Sequence, residues 1–100
     1  MIIVRTRIFT KAAVKYIRAG NRKILRSLEQ VIGLLSILDS QSVTELRVRW
    51  RDHVLTSDKR GMRELHLGFD DLLLYRIHEK EQVIELLDIV NHEQLRKRRV

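Results

Sequence analysis

The stretch Leu72-Leu73-Leu74-Tyr75-Arg76-Ile77-His78-Glu79-Lys80-Glu81-Gln82-Val83-Ile84-Glu85-Leu86-Leu87-Asp88-Ile89-Val90 decides the fold. Its first six residues carry apolar side chains on both alternating parities, as expected of a central strand covered on both faces. His78 to Gln82 is a polar turn between two apolar runs, so the segments Leu72 to His78 and Val83 to Val90 read as a hairpin. Just upstream, Gly61 precedes a third strand-like segment, Met62 to Leu67. There Leu65 and Leu67 share one parity while Glu64 and His66 share the other, which aims His66 away from the leucine-lined face.

Working back toward the N-terminus, Met1 to Arg7 is rich in β-branched residues and reads as a first strand. Thr10 is placed to cap a helix starting at Lys11, with Ala12, Ala13, Tyr16 and Ile17 at helical spacing and Gly20 at its end. Asn21 then caps a strongly amphipathic helix, Arg22 to Leu38, whose apolar residues recur every three or four places. Asp39-Ser40-Gln41-Ser42 starts a loop, and Val43 to Arg60 reads as irregular and strongly basic. The whole predicts an α+β fold: an N-terminal strand and two-helix hairpin packed on one face of a small antiparallel sheet. The other sheet face is left to carry a site.

A chain of 100 residues makes one domain spanning 1–100. Without cysteine there are no disulfides or thiolate metal sites, which fits a reducing, cytoplasmic setting. The longest apolar stretch, Val31 to Leu38, falls far short of the ~20 residues that cross a bilayer, and Met1 to Arg5 lacks the order of a signal peptide. No membrane association is expected. A formal charge of +7 attracts polyanions, whether nucleic acid or an acidic protein.

Four residues stand out for chemistry: His53, His66, Asp70 and His92. Histidine gives and takes protons near neutral pH. RNA cleavage needs a base for the ribose 2′-hydroxyl, an acid for the leaving 5′-oxygen and cations for the developing phosphate charge. Arg47, Arg49, Arg51, Lys59, Arg60 and Arg63 are available to grip RNA phosphates. Trp50 and Tyr75 read as packing residues, and Arg96 to Arg99 as a solvated basic tail. A metal site ranks lower, since no tight His-x-x-x-His or carboxylate cluster fixes ligand geometry. Spacing alone leaves catalysis undecided.

The ordered set Arg51-Asp52-His53-Val54-Leu55, Gly61-Met62-Arg63-Glu64-Leu65-His66, Asp70, Leu73-Leu74-Tyr75-Arg76-Ile77 and Asn91-His92-Glu93-Gln94-Leu95 resembles the RelE/ParE superfamily of toxins, and within it the YafQ branch. The likeness is strong over the second half of the chain and extends to the first half in layout only. It implies a type II toxin that cleaves mRNA on the ribosome, using His53, His66, Asp70 and His92. The implied reaction uses neither metal nor other cofactor and leaves a 2′,3′-cyclic or 3′-phosphate and a 5′-hydroxyl. His92 and His53 would transfer protons, His66 would contact phosphate or transfer a proton, and Asp70 would orient a histidine. Implied partners are a cognate acidic antitoxin, mRNA, and the ribosome, with 16S rRNA at the A site. Two positions depart from the pattern: Asp88 stands where relatives carry an arginine, and Arg96 where they carry an aromatic residue. Arg63, Arg76 or Arg96 would then supply the missing cation. The same superfamily offers two other readings, a ParE-like gyrase poison acting by binding, and a catalytically impaired relative.

Overall fold

In the computed structural model, which describes residues 1–56 and 61–98, the hairpin read from the sequence forms the middle of a five-stranded sheet. The strands are β1 (Ile2–Arg5), β2 (His53–Val54), β3 (Arg63–His66), β4 (Leu72–His78) and β5 (Val83–Val90). The helices are α1 (Arg7–Arg18), α2 (Arg22–Ile37), α3 (Ser40–Arg49) and α4 (His92–Arg98). The sheet order is β1-β5-β4-β3-β2, which puts β4 at the centre. Successive pairs from β2 to β5 are antiparallel, whereas β1 lies parallel to β5, with Ile2 opposite Val83 and Arg5 opposite Leu86.

Both faces of β4 are buried, as its two-parity apolar pattern requires. On the helix side Leu73 and Tyr75 join Leu65, Ile84, Leu86 and Ile89 against Phe9, Ile24, Leu28, Val31, Leu35, Leu46 and Trp50. On the other side Leu72, Leu74, Leu55 and Val90 gather around Leu95 of α4. Leu74 pairs with Asp88 and Tyr75 with Leu86, so Leu87 is the extra residue of a bulge. That shift in alternation lets Leu86 and Ile89 both face the helices.

The α+β architecture matches the sequence reading, and several details differ. The sheet is mixed rather than antiparallel throughout, because the N-terminal strand adds alongside β5. The first helix begins three residues before Thr10: Thr6 is its cap, accepting from the Phe9 N–H at 3.2 Å and donating to Leu87 O at 3.1 Å. Thr10 instead lies inside the helix and bonds back to Thr6 O at 3.0 Å. Asp39-Ser40-Gln41-Ser42 starts a third helix and not a loop, since Asp39 accepts from the Ser42 N–H at 2.8 Å. The opposite sheet face is not fully open either, for α4 lies there and its Leu95 covers the sheet; Arg96 and Lys97, read as part of a solvated tail, stand exposed on that helix, and Arg99 lies outside the described residues. Among the described residues no helix is long and apolar enough to cross a membrane.

Candidate active site

β3 ends at His66. Its neighbour Leu65 is fully buried on the helix side, so alternation sends His66 to the opposite face with Glu64. β2 sets His53 opposite Glu64 in register. One oxygen of Glu64, Oε1, therefore lies 3.5 Å from Nε2 of His53 and 3.5 Å from Nε2 of His66. The carboxylate is buried between the two rings. At that range the link is electrostatic contact, longer than a good hydrogen bond.

His92 arrives from the far side. After β5 the chain turns at Asn91, whose N–H donates to Gln94 Oε1 at 2.9 Å while Asn91 Oδ1 accepts from the Gln94 N–H at 2.8 Å. This reciprocal capping box starts α4 and sets His92 in its first turn. The His66 and His92 ring centroids are 5.7 Å apart, and those of His53 and His66 are 6.3 Å apart. The three imidazoles thus form a row with His66 in the middle.

Two tight turns frame the row. Between β3 and β4, the N–H groups of Leu67 and Gly68 both reach Asp71 O, at 2.8 and 3.4 Å. Gly68 is pressed against the core: a Cβ there would fall 2.8 Å from Ile24 Cδ1 and 3.0 Å from Asp71 Oδ2. Asp71 is tied to α1 by the Tyr16 hydroxyl at 2.6 Å. Asp70, beside it, faces His92, with Oδ1 2.5 Å from Nδ1 and 2.9 Å from the His92 backbone N. On the other flank Arg51 takes a left-handed backbone conformation, φ 55°. The kink lets Trp50 enter the core with its carbonyl on the His66 N–H at 2.8 Å, while Arg51 O accepts from His53 Nδ1 at 2.7 Å.

These bonds fix proton positions. A carbonyl only accepts, so His53 Nδ1 carries a hydrogen and Nε2 is the nitrogen facing Glu64. Asp70 likewise favours the proton on Nδ1 of His92, leaving Nε2 to a substrate. Burial lowers the pKa of His66, with the positive surroundings of His92, Arg51 and His53 adding to it and Glu64 opposing. Bonds from the His92 backbone and side chain hold the Asp70 carboxyl below its ordinary range. Burial thus favours the neutral form of the central imidazole, while Asp70 orients the ring of His92 beside it.

All four residues expected to carry chemistry, His53, His66, Asp70 and His92, meet at one end of the sheet. Arg49 and Arg51 line the same cleft as His66 and His92. The Arg49 guanidinium also lies over the Trp50 ring at 5.0 Å, and Trp50 itself is buried. Arg63 faces the helix side instead, bonded to Asp52 at 2.7 Å and to the Tyr75 hydroxyl at 3.3 Å. Asp52 also accepts from that hydroxyl. Burial works against the Arg63 charge, but the bonds to Asp52 and Tyr75 outweigh it and raise its pKa. Arg76 lies in register with Glu85, and Arg96 is exposed on α4. Lys59 and Arg60 lie outside the described residues. Asp88 is buried and lines a groove beside α1 with Lys11, Lys15 and Tyr16, a different recess from the cleft of His66 and His92.

One contributor, Glu64, escaped the sequence reading. Glu64 shares parity with His66, a signal that was visible, but its burial was not. Among the described residues no group of three or more His, Cys, Asp or Glu is arranged to hold a metal ion.

Residues 1–97 match the family model of YafQ, a bacterial toxin of type II toxin–antitoxin systems. This chain belongs to the YafQ family. Among solved structures, this YafQ-family chain is similar to the metal-bound toxin from Helicobacter pylori, at 28% identity and TM-score 0.76, covering 95% of this chain and 98% of that one. It shares its fold with YafQ in the Escherichia coli DinJ-YafQ complex, at 22% identity and TM-score 0.70, covering 93% and 94% of the two chains. The YoeB/ParE toxin from Agrobacterium tumefaciens shares the fold as well, at 16% identity and TM-score 0.64 over 92% and 99%. No curated protein matches the chain.

Proposed function

We propose that this YafQ-family toxin is a ribosome-dependent endoribonuclease, cutting translated mRNA by histidine acid–base chemistry without a metal. The observation that carries the reading is the row of three imidazoles, with centroids 6.3 and 5.7 Å apart, held by two carboxylates at a basic cleft. One imidazole takes the proton of the ribose 2′-hydroxyl, and that oxygen attacks the adjoining phosphorus. Another imidazole gives a proton to the leaving 5′-oxygen. A 2′,3′-cyclic phosphate and a 5′-hydroxyl result.

Lowered in pKa, His66 is neutral at physiological pH and suits the base or a phosphate contact. His92 is backed by Asp70, which stabilises the charged imidazole as well as its orientation, and suits the acid. Arg51 and Arg49, which line the cleft, stabilise the phosphate charge. Asp88, turned to the α1 groove, does not oppose phosphate in this cleft.

The toxin would act in the cytoplasm in the ribosomal A site, where 16S rRNA supplies much of the contact, and a cognate acidic antitoxin would neutralise it. The net charge of +7 suits both partners. The test is 5′-end mapping of a reporter mRNA after brief induction, with translatable and untranslatable versions side by side. Cuts in codon register confined to the translated message, with 5′-hydroxyl ends, are expected. Growth arrest with DNA damage and no cuts would replace this reading with a ParE-like gyrase poison.

A further inference from the structure

Phe69 is 97% exposed, at the tip of the turn joining β3 to β4. The turn beneath it is firmly held: Leu67 and Gly68 bond to Asp71 O, Asp71 to Tyr16, and Asp70 to His92. Gly68 packs closely against Ile24 and Asp71, seating the turn on the core, while the phenyl ring stands in water. Holding a large apolar ring there is unfavourable unless something covers it. The ring lines one cleft with Arg49, Arg51, His66 and His92.

These surroundings choose the occupant. A docking surface for a protein core would set apolar side chains beside the ring. Here the exposed neighbours are cations and imidazoles. A flat π-face beside cations is the equipment for an unpaired nucleobase whose backbone phosphate lies on the positive groups. We propose that Phe69 stacks on the nucleobase next to the phosphate held at His66 and His92, and so anchors the RNA strand there. This rests on the RNA-cleavage reading above and names the part of the site that binds the base.

The test uses the full chain and a labelled single-stranded oligoribonucleotide, 2′-O-methylated throughout so that it is not cut. Binding is followed by fluorescence anisotropy, and the translated reporter is mapped in parallel. Stacking on an aromatic ring is worth about 1–3 kcal/mol per base. At about 1.4 kcal/mol per decade, Phe69→Ala is expected to weaken binding about 5- to 150-fold and to lower cutting of the translated reporter. Phe69→Trp should restore both. Phe69→Leu, apolar without a π-face, should behave as alanine does. An abasic nucleotide at the stacked position should weaken binding to the parent protein and not to Phe69→Ala. If the parent binds and cuts RNA and Phe69→Ala matches it, stacking is overturned and the cleavage reading stands. If Phe69→Leu matches the parent, the contact is generic apolar docking and stacking is likewise overturned. A parent that neither binds nor cuts RNA overturns both.

Discussion

Asp70 holds His92 at two points, one carboxylate oxygen serving both the backbone N–H at 2.9 Å and ring Nδ1 at 2.5 Å. Both side chains are about half exposed, so the contact adds little to folding and much to ring orientation. His92→Ala is expected to lower mRNA cleavage by about 10²–10⁴-fold, the range for a single proton-transfer group, with folding intact. Asp70→Asn should cause a smaller loss, because the amide oxygen still accepts a bond but no longer stabilises the imidazolium. Counting reporter cuts per molecule of toxin checks both. Unchanged cleavage in His92→Ala would remove it from the mechanism.

Glu64 opposes the forces that lower the His66 pKa. Replacing it by glutamine removes a negative charge that favours the imidazolium, so the pKa should fall further. The acid limb of the pH–activity profile should move to lower pH with it. A folded-state value below the free imidazole value means that the unfolded chain binds more protons in between. This residue's contribution to stability therefore rises with pH from the lowered value up to about 6.5. Following the His66 ring proton by NMR titration in the parent and in Glu64→Gln checks the sign. A rise would show that Glu64 acts by some other route.

Arg51 adopts φ 55° without being glycine, a conformation whose cost is of the order of 1–3 kcal/mol. Arg51→Gly releases that strain but gives the unfolded chain more freedom, which takes back about 0.5–1 kcal/mol. Stability in urea should therefore stay level or improve by up to about 2 kcal/mol. Cleavage should fall, because a cleft cation has gone. A clear loss of stability would mean that the side chain itself supports the fold.

Tyr75, buried at the centre of the sheet, gives its hydroxyl to Asp52, which also bonds Arg63 at 2.7 Å. Tyr75→Phe keeps the ring and strips one donor from a buried carboxylate, at an expected cost of about 1–3 kcal/mol. A urea midpoint that falls, with cleavage per folded molecule preserved, would confirm a supporting role apart from the chemistry.

The meander was legible because its apolar runs are long, two-sided and bounded by polar turns, and α2 because its stripe is unbroken. α3 was not. Only Ser42 and Leu46 of that helix are buried, while Val43 and Val48 are exposed, so its apolar spacing carries no clear period. The parallel seat of β1 depends on a partner far along the chain and leaves no local trace. Strand parity placed His66 correctly. The approach of His53 and His92 to it needed the β2–β3 register and the α4 cap, which are tertiary facts. Glu64 was hidden by the ordinary rule that carboxylates are solvated.

The parallel pairing of β1 with β5 also sets an order of events during synthesis. Ile2 to Arg5 have no strand beside them until Val83 to Leu86 have been made, and His92 follows later still. Contacts so distant in sequence form slowly, after a large loop has closed. A growing chain accordingly emerges with its first strand unpaired and the three histidines of the row scattered. The cleft is completed only after that delay, and the emerging chain passes through an interval in which a waiting partner can reach it first.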